Sequence, residues 1–174
     1  VKTSYEDPSM GGLFGYAIAS AGDKVLIGAF KANGAASEEG VFHVYDADSG
    51  VLLQTVPNPH PAGGDWFGIE IAVYDDRYAL VGAPRDSPNG AAYLYDLEDY
   101  SLLAEFVNPD PAGYDSERFG ENLIWAGDAV VISAWRDEGY EGSVYIFEGF
   151  VPEPATLLLL PLGGLAVLRK KRRK

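Results

Sequence analysis

From Phe14 to Phe150 the chain alternates short apolar runs, rich in β-branched and aromatic residues, with Gly, Asp and Asn at turn spacing. That pattern predicts strands joined by tight hairpins, not helices. Three of the runs, KVLIGAF from Lys24, YALVGAP from Tyr78 and AVVISAW from Ala129, are apolar on both faces. A run of this kind suits an inner strand packed above and below. Gly28 and Gly82 interrupt two of them, with Ser133 at the same place in the third, and remove bulk where another backbone comes close.

The runs belong to a repeat. FGYAIASAGDKVLIGAF from Phe14, FGIEIAVYDDRYALVGAP from Phe67 and FGENLIWAGDAVVISAW from Phe119 align, their starts 53 and 52 residues apart. A second block follows each, EGVFHVYDADSG from Glu39, NGAAYLYDLEDY from Asn89 and EGSVYIFEGF from Glu141. A third occurs twice, LLQTVPNPHPAGGD from Leu52 and LLAEFVNPDPAGYD from Leu102. Each unit supplies four expected strands: one after Phe-Gly, one ending at Gly-Ala, one in the aromatic block and an outer one at Leu-Leu. The third unit ends without its outer strand. Repeated four-stranded antiparallel units of this length predict an all-β protein, a β-propeller with three blades present over 1–150 and repeats starting near 14, 67 and 119. The opening, VKTSYEDPSMGG, occupies the place of an outer strand and the loop into the first Phe-Gly. The expectation is therefore an N-terminally truncated ring, with an oligomerising three-unit arc as the alternative.

Composition sharpens this picture. The formal charge of −13 conceals a division, because Arg169, Lys170, Lys171, Arg172, Arg173 and Lys174 are six of the 13 basic residues. Residues 1–151 carry 7 basic against 25 acidic side chains. A body so acidic repels phosphate backbones, so nucleic acid is not an expected partner. Without cysteine there is no thiolate metal site and no cysteine nucleophile. The apolar stretch Ala155–Leu168, 14 residues without a charge, is shorter than the roughly 20 of an ordinary span. The six cations after it suit an anionic cytoplasmic surface better than a core.

The Phe-Gly and Gly-Ala blocks together resemble the FG-GAP repeat of integrin-like β-propellers over roughly Phe14 to Phe150. Calcium-binding members of that family carry a longer Asp-rich loop, where this chain has only Ser20–Lys24, Val73–Arg77 and Trp125–Asp128. These links hold too few oxygens for the 6–8 that calcium prefers, so no metal and no cofactor is expected. Over 151–174, Pro152-Glu153-Pro154, the apolar segment 155–168 and the basic end 169–174 resemble the PEP-CTERM sorting signal of Gram-negative bacteria. That resemblance implies a short C-terminal transmembrane helix, export and arrest in the inner membrane. It also implies processing by an exosortase, with release to the cell surface or matrix, often beside extracellular polysaccharide.

Candidate chemistry is sparse. His43 aligns with Tyr93 and Tyr145 and is read as structural, and His60 aligns with Asp110 at a turn, so neither forms a metal site or a Ser-His pair. Asp46, Asp48, Asp96, Glu98 and Asp99 sit at repeat-equivalent turns, where Asp favours local hydrogen bonds. Asp65 and Asp115 recur before Phe-Gly. Trp66, Tyr114, Arg118, Arg136 and Tyr140, in or beside the loops, are the candidate ligand contacts, since aromatic faces with hydrogen-bonding groups suit sugars or proteins. Trp135 replaces Phe30 and Pro84 and serves packing as readily. The expected function is a non-enzymatic binding or adhesion module at the cell surface or matrix. The alternatives are a fragment of a polysaccharide-active enzyme with its catalytic residues elsewhere, and a purely structural matrix protein.

Overall fold

The structure, a computed structural model, describes residues 3–8, 11–86, 88–111 and 117–150. It is all-β, with three antiparallel sheets whose strands lie in chain order. The first sheet comprises β1 (Ile18–Ala21), β2 (Lys24–Ala29), β3 (Val41–Asp46) and β4 (Leu52–Pro57). The second repeats it with β5 (Ile71–Tyr74), β6 (Tyr78–Ala83), β7 (Ala91–Asp96) and β8 (Leu102–Val107). The third has β9 (Phe119–Ala126), β10 (Ala129–Ala134) and β11 (Ser143–Phe147). The only helix among the described residues is a single turn, α1 (Asp137–Tyr140). Gly22 and Asp23 alone separate the paired ends Ala21 and Lys24, and Gly127 and Asp128 alone separate Ala126 and Ala129. Ladders break at equivalent places, Val44/Tyr45 in the first sheet and Leu94/Tyr95 in the second, so even the bulges obey the repeat.

The middle sheet explains its own apolar run. Ala79 and Val81 of β6, with Tyr93 and Tyr95 of β7, face the first sheet and join Leu26, Phe42 and Phe67 in one core. Tyr78, Leu80, Ala92 and Leu94 point the other way and pack with Phe119, Val130 and Ile132 in a second core. Side chains alternate along a strand, so a sheet covered on both sides must be apolar at every position. The Phe of each Phe-Gly plugs the seam ahead of it. Phe67 has its ring centroid 5.9 Å from Phe42 and 5.7 Å from Tyr93, and Phe119 lies 5.9 Å from Tyr145. Burying such a ring contributes about 1.5–3 kcal/mol.

The Gly of Phe-Gly meets the Gly of the preceding Gly-Ala. A Cβ added to Gly28 would stand 2.0 Å from the Gly68 carbonyl oxygen, and one added to Gly82 would stand 2.0 Å from that of Gly120. Backbone hydrogen bonds from Phe67 N–H to Glu39 O (3.0 Å) and from Phe119 N–H to Asn89 O (3.1 Å) tie each unit to the one before.

Two expectations are corrected or fall outside these residues. The opening was expected to supply an outer strand, but residues 3–8 form none. They lie against the first sheet, where Tyr5 packs edge-on against Tyr45 at 5.2 Å and the Tyr45 hydroxyl donates to Glu6 O at 2.7 Å. Segment-to-sheet packing of aromatic rings satisfies this stretch without a ladder. The sorting motif Pro152, Glu153, Pro154, the apolar segment 155–168 with its expected helix and the basic end 169–174 lie outside the described residues. Among the described residues no helix is long and apolar enough to cross a membrane.

Candidate functional site

The residue before each Phe-Gly is held in the left-handed region: Leu13 at φ 57°, Trp66 at 63° and Arg118 at 63°. Non-glycine residues reach that region rarely and at a cost, so surrounding structure must impose it. The restraint is visible in all three units. The residue after Gly-Ala-x or Ser-Ala-x donates its N–H to the residue just ahead of the left-handed one: Lys31 to Gly12 O (2.9 Å), Arg85 to Asp65 O (3.2 Å) and Arg136 to Glu117 O (3.2 Å). Each donor is a cation. Three basic residues are thereby fixed at one end of the sheets, beside the variable residue that precedes Phe-Gly.

Trp66 is the centre of this end. The guanidinium carbons of Arg85 and Arg118 stand 4.2 Å and 4.8 Å from its ring centroid, with Lys31 Nζ at 5.8 Å. Phe30 packs edge-on against it at 5.4 Å and is in turn met by Tyr16 at 4.7 Å. Arg118 comes from the third unit, so the second and third units share the site. Its side chain is 12% exposed, and the nearest carboxylate among the described residues, Glu121, is 4.0 Å away. Arg118 Nε and Nη1 and Trp66 Nε1 are buried without a hydrogen-bond partner. Burial pushes the Arg118 guanidinium below its ordinary pKa, and nearby Arg85 and Arg136 push it the same way while Glu121 opposes them. Lys31 is paired with Glu38 at 3.4 Å. No carboxylate of the described residues lies within 4.0 Å of Arg85 or Arg136.

A second aromatic group adjoins this one. Trp135 donates from Nε1 to Glu121 Oε2 at 2.8 Å and packs 6.2 Å from Tyr140. The Arg136 guanidinium lies over the Tyr140 ring at 4.8 Å and hydrogen-bonds its hydroxyl. Trp135 and Tyr140 are exposed. Of the candidate contacts, Trp66, Arg118, Arg136 and Tyr140 thus occupy one end of the sheets, while Tyr114 lies outside the described residues. Lys31, Arg85 and Tyr16 were missed. The signal available for the cations was the repeat itself, which places Lys or Arg two residues after Ala29, Ala83 and Ala134.

The opposite end of the strands is acidic and self-satisfied. Arg77 binds Asp96 through Nε (3.1 Å) and Nη2 (2.8 Å) and reaches Glu98 at 3.1 Å. Asp46 caps its turn, accepting from the Ser49 hydroxyl at 2.5 Å and the Ser49 N–H at 2.7 Å, which hold its pKa below the usual carboxylate range, and Asp99 is lowered in the same way by Ser101. Asp48 occupies the same turn as Asp46.

Buried acids serve the joints between sheets. Asp65 accepts from Asn58 Nδ2 (2.8 Å) and from the Ala62 N–H (2.6 Å). Its counterpart in the third unit is Glu117, fully buried and bonded to Asn108 Nδ2 at 2.5 Å. Glu117 stands two residues before Phe119 as Asp65 does before Phe67. Asp115, expected to recur with Asp65, lies outside the described residues. Buried Tyr93 donates to Asp86, and Tyr145 donates to Asp137 at 2.6 Å. Burial and these carboxylates push both phenols well above their ordinary pKa. The first unit has Ala32 and His43 at these two places, and buried His43 pairs its Nδ1 with Thr55 Oγ1 at 2.9 Å. Desolvation lowers the His43 pKa, against the pull of Asp7. Exposed His60 lies 3.4 Å from Glu105. No cluster of three or more His, Asp or Glu residues that could hold a metal occurs among the described residues.

No curated protein matches the chain. Among solved structures, it is similar to the crystal structure of the computationally designed Ika8 protein, at 17% identity and a TM-score of 0.49, over 78% of this chain and 33% of the designed one. The chain therefore spans about a third of that protein's length. Residues 59–95, from the turn after β4 to the end of β7, match the FG-GAP repeat family.

Proposed function

We propose that the protein is an exported, non-enzymatic β-propeller module that binds a ligand of the cell surface or extracellular matrix through the cationic, aromatic end of its blades. The carrying observation is the placement of Trp66 between Arg85 of its own unit and Arg118 of the next. Three cations gather around one ring, and one of them, Arg85, has no carboxylate of the described residues within 4.0 Å, in a body of 7 basic and 25 acidic side chains. Binding sites are built on loops held by a rigid scaffold, and here a left-handed backbone supplies the rigidity. Two neighbouring blades contribute, so ligand affinity depends on their packing.

The tail gives the module its address. Pro152-Glu153-Pro154 is the processing motif for an exosortase, 155–168 the temporary transmembrane segment and 169–174 the cytoplasmic anchor that retains the precursor in the inner membrane. At about 1.5 Å per residue the 14 apolar positions rise about 21 Å, short of a roughly 30 Å hydrocarbon core. A weak anchor suits a segment that is removed.

The test is retention of the tagged full chain on isolated cell-envelope and matrix material. Wild type and an Asp99→Asn control at the opposite end should bind equally, and Arg118→Gln should bind less. Equal retention of all three would place ligand contact elsewhere and refute the site.

A further inference from the structure

The geometry points to a carboxylated polysaccharide, a chain of uronate-type pyranoses, as the ligand of the end formed by Trp66, Arg85, Arg118, Trp135, Arg136 and Tyr140. This rests on the binding-module reading and adds the chemical class of ligand to it.

Charge sets the first requirement. Arg85 and Arg136 have no carboxylate of the described residues within 4.0 Å, and Arg118 has only Glu121 at that limit. Three guanidiniums near one another repel, and Arg118 carries in addition two buried nitrogens without an acceptor. An arriving anion offsets that repulsion. Guanidinium favours the planar, bidentate acceptor that a carboxylate provides. The opposite end of the strands, with Asp46, Asp96, Glu98 and Asp99 turned to solvent or to Arg77, repels the same ligand and leaves one end open to it.

Shape sets the second. Trp66 is engaged by cations and by Phe30, so it positions the guanidiniums and is not itself a platform. The exposed platforms are Trp135 (45%) and Tyr140 (65%), which the Arg136 guanidinium meets at 5.6 Å and 4.8 Å and which still present ring surface to solvent. Flat aromatic faces beside guanidiniums match a pyranose, which presents an apolar C–H face and an equatorial carboxylate on one rigid ring. An acidic peptide carries its carboxylates on flexible stems and offers no such face.

Periodicity sets the third. Lys31, Arg85 and Arg136 occupy the same position in three successive units, each tied by the same backbone hydrogen bond. A row of equivalent cations at a fixed repeat fits a polymer that presents one carboxylate per sugar, and multivalent contact strengthens binding without a deep pocket.

The experiment measures binding of the full chain to oligogalacturonate and oligomannuronate, to the corresponding neutral oligosaccharides, and to poly-glutamate of similar charge. Wild type should bind at least one uronate oligomer saturably and more weakly as salt rises. Arg118→Gln and Arg136→Gln should each weaken that binding at least about tenfold. Trp135→Ala should weaken uronate binding while sparing any residual poly-glutamate binding. Far-UV circular dichroism and melting of each variant establish that the fold persists, and Arg118→Lys should recover part of the loss. Equal affinity for poly-glutamate would reduce the site to unspecific anion attraction and overturn the assignment, as would equal affinity for the neutral sugars. If neither uronate binds while envelope material is still retained in an Arg118-dependent way, the ligand class is wrong and the binding-module reading stands. If envelope retention is also absent, both fall.

Discussion

Replacing Gly82 with alanine perturbs the seam that sets the distance between the second and third sheets. The new Cβ would stand 2.0 Å from the Gly120 carbonyl oxygen, with Leu123 Cδ1 at 3.4 Å. Non-bonded carbon contacts become favourable near about 3.5 Å, so the backbones must part by roughly 1.5 Å or the strand must tilt. Gly82 lies outside the left-handed region, so alanine suffers no backbone strain there and would by itself gain about 0.4–1 kcal/mol from a less flexible unfolded chain. Overpacking costs about 1–3 kcal/mol and can exceed that where backbone must move. The net is a loss of about 2 kcal/mol, which lowers the melting temperature by about 4–8 °C in a protein of this size. Gly63→Ala is the control, since its Cβ would meet only Ser37 O at an ordinary 3.6 Å. Thermal melts of the full chain, followed by far-UV circular dichroism, distinguish the two. Coincident melting of Gly82→Ala, Gly63→Ala and wild type would refute the close approach of the sheets. The same substitution should weaken ligand binding, because Gly120 is two residues from Arg118 and Gly82 three from Arg85.

Four further outcomes are expected. Burial, with Asp86 and Glu39 nearby, raises the Asp65 pKa above 3.8 against the pull of Ala62 N–H and Asn58; the folded state therefore holds that proton longer, and its contribution is full below the unfolded value and lost as pH rises through the folded one. Asp65→Asn, which keeps a carbonyl acceptor, should flatten the dependence of melting temperature on pH as pH rises above 3.8, and an unchanged slope would contradict this. Tyr93→Phe removes the hydroxyl that serves buried Asp86 and should cost about 1–3 kcal/mol in chemical denaturation, whereas Asp86→Ala combined with Tyr93→Phe should cost less than the sum of the two, and additivity would show that the pair does not interact. Changing Pro152, Glu153 and Pro154 to alanine should leave an unprocessed, membrane-bound precursor in an exosortase-bearing host, while wild type loses its basic end; retention of that end in the mature extracellular protein would refute the sorting role. Millimolar calcium should leave the melting temperature unchanged, because the hairpins at Gly22–Asp23 and Gly127–Asp128 offer too few oxygens; a chelator-reversible rise would contradict this.

The strands were legible because their determinants are local. Short runs apolar on both faces, Gly and Asp at turns and the Phe-Gly to Gly-Ala spacing recur in phase, so three copies corroborate one another. The site was legible only in part. Arg136 and Tyr140 lie close in the chain, but Arg118 reaches Trp66 from the next unit, and no periodicity announces a contact 52 positions away in chain order. Lys31 and Arg85 were overlooked because each is unremarkable alone, and only the repeat, which puts a cation at the same place in every unit, marks them. Glu117 was hidden by a change of loop length and of residue type, since the third unit has Glu where the second has Asp two residues before Phe-Gly. The opening segment shows the converse, since alignment places it where a strand belongs while its one aromatic residue, Tyr5, packs against Tyr45.

Leu13, Trp66 and Arg118 share one backbone conformation and have nothing else in common. Each is clamped from outside by the hydrogen bond of the cation that follows the neighbouring strand, so the geometry at that position owes little to the side chain it carries. Such a position is a socket. Its occupant can be exchanged among aliphatic, aromatic and charged residues while the strands on either side fold as before, and recognition can diversify one unit at a time. Substitutions at these three places change the surface of that end of the sheets without touching the strand pairing, and duplication of a unit would add a fourth.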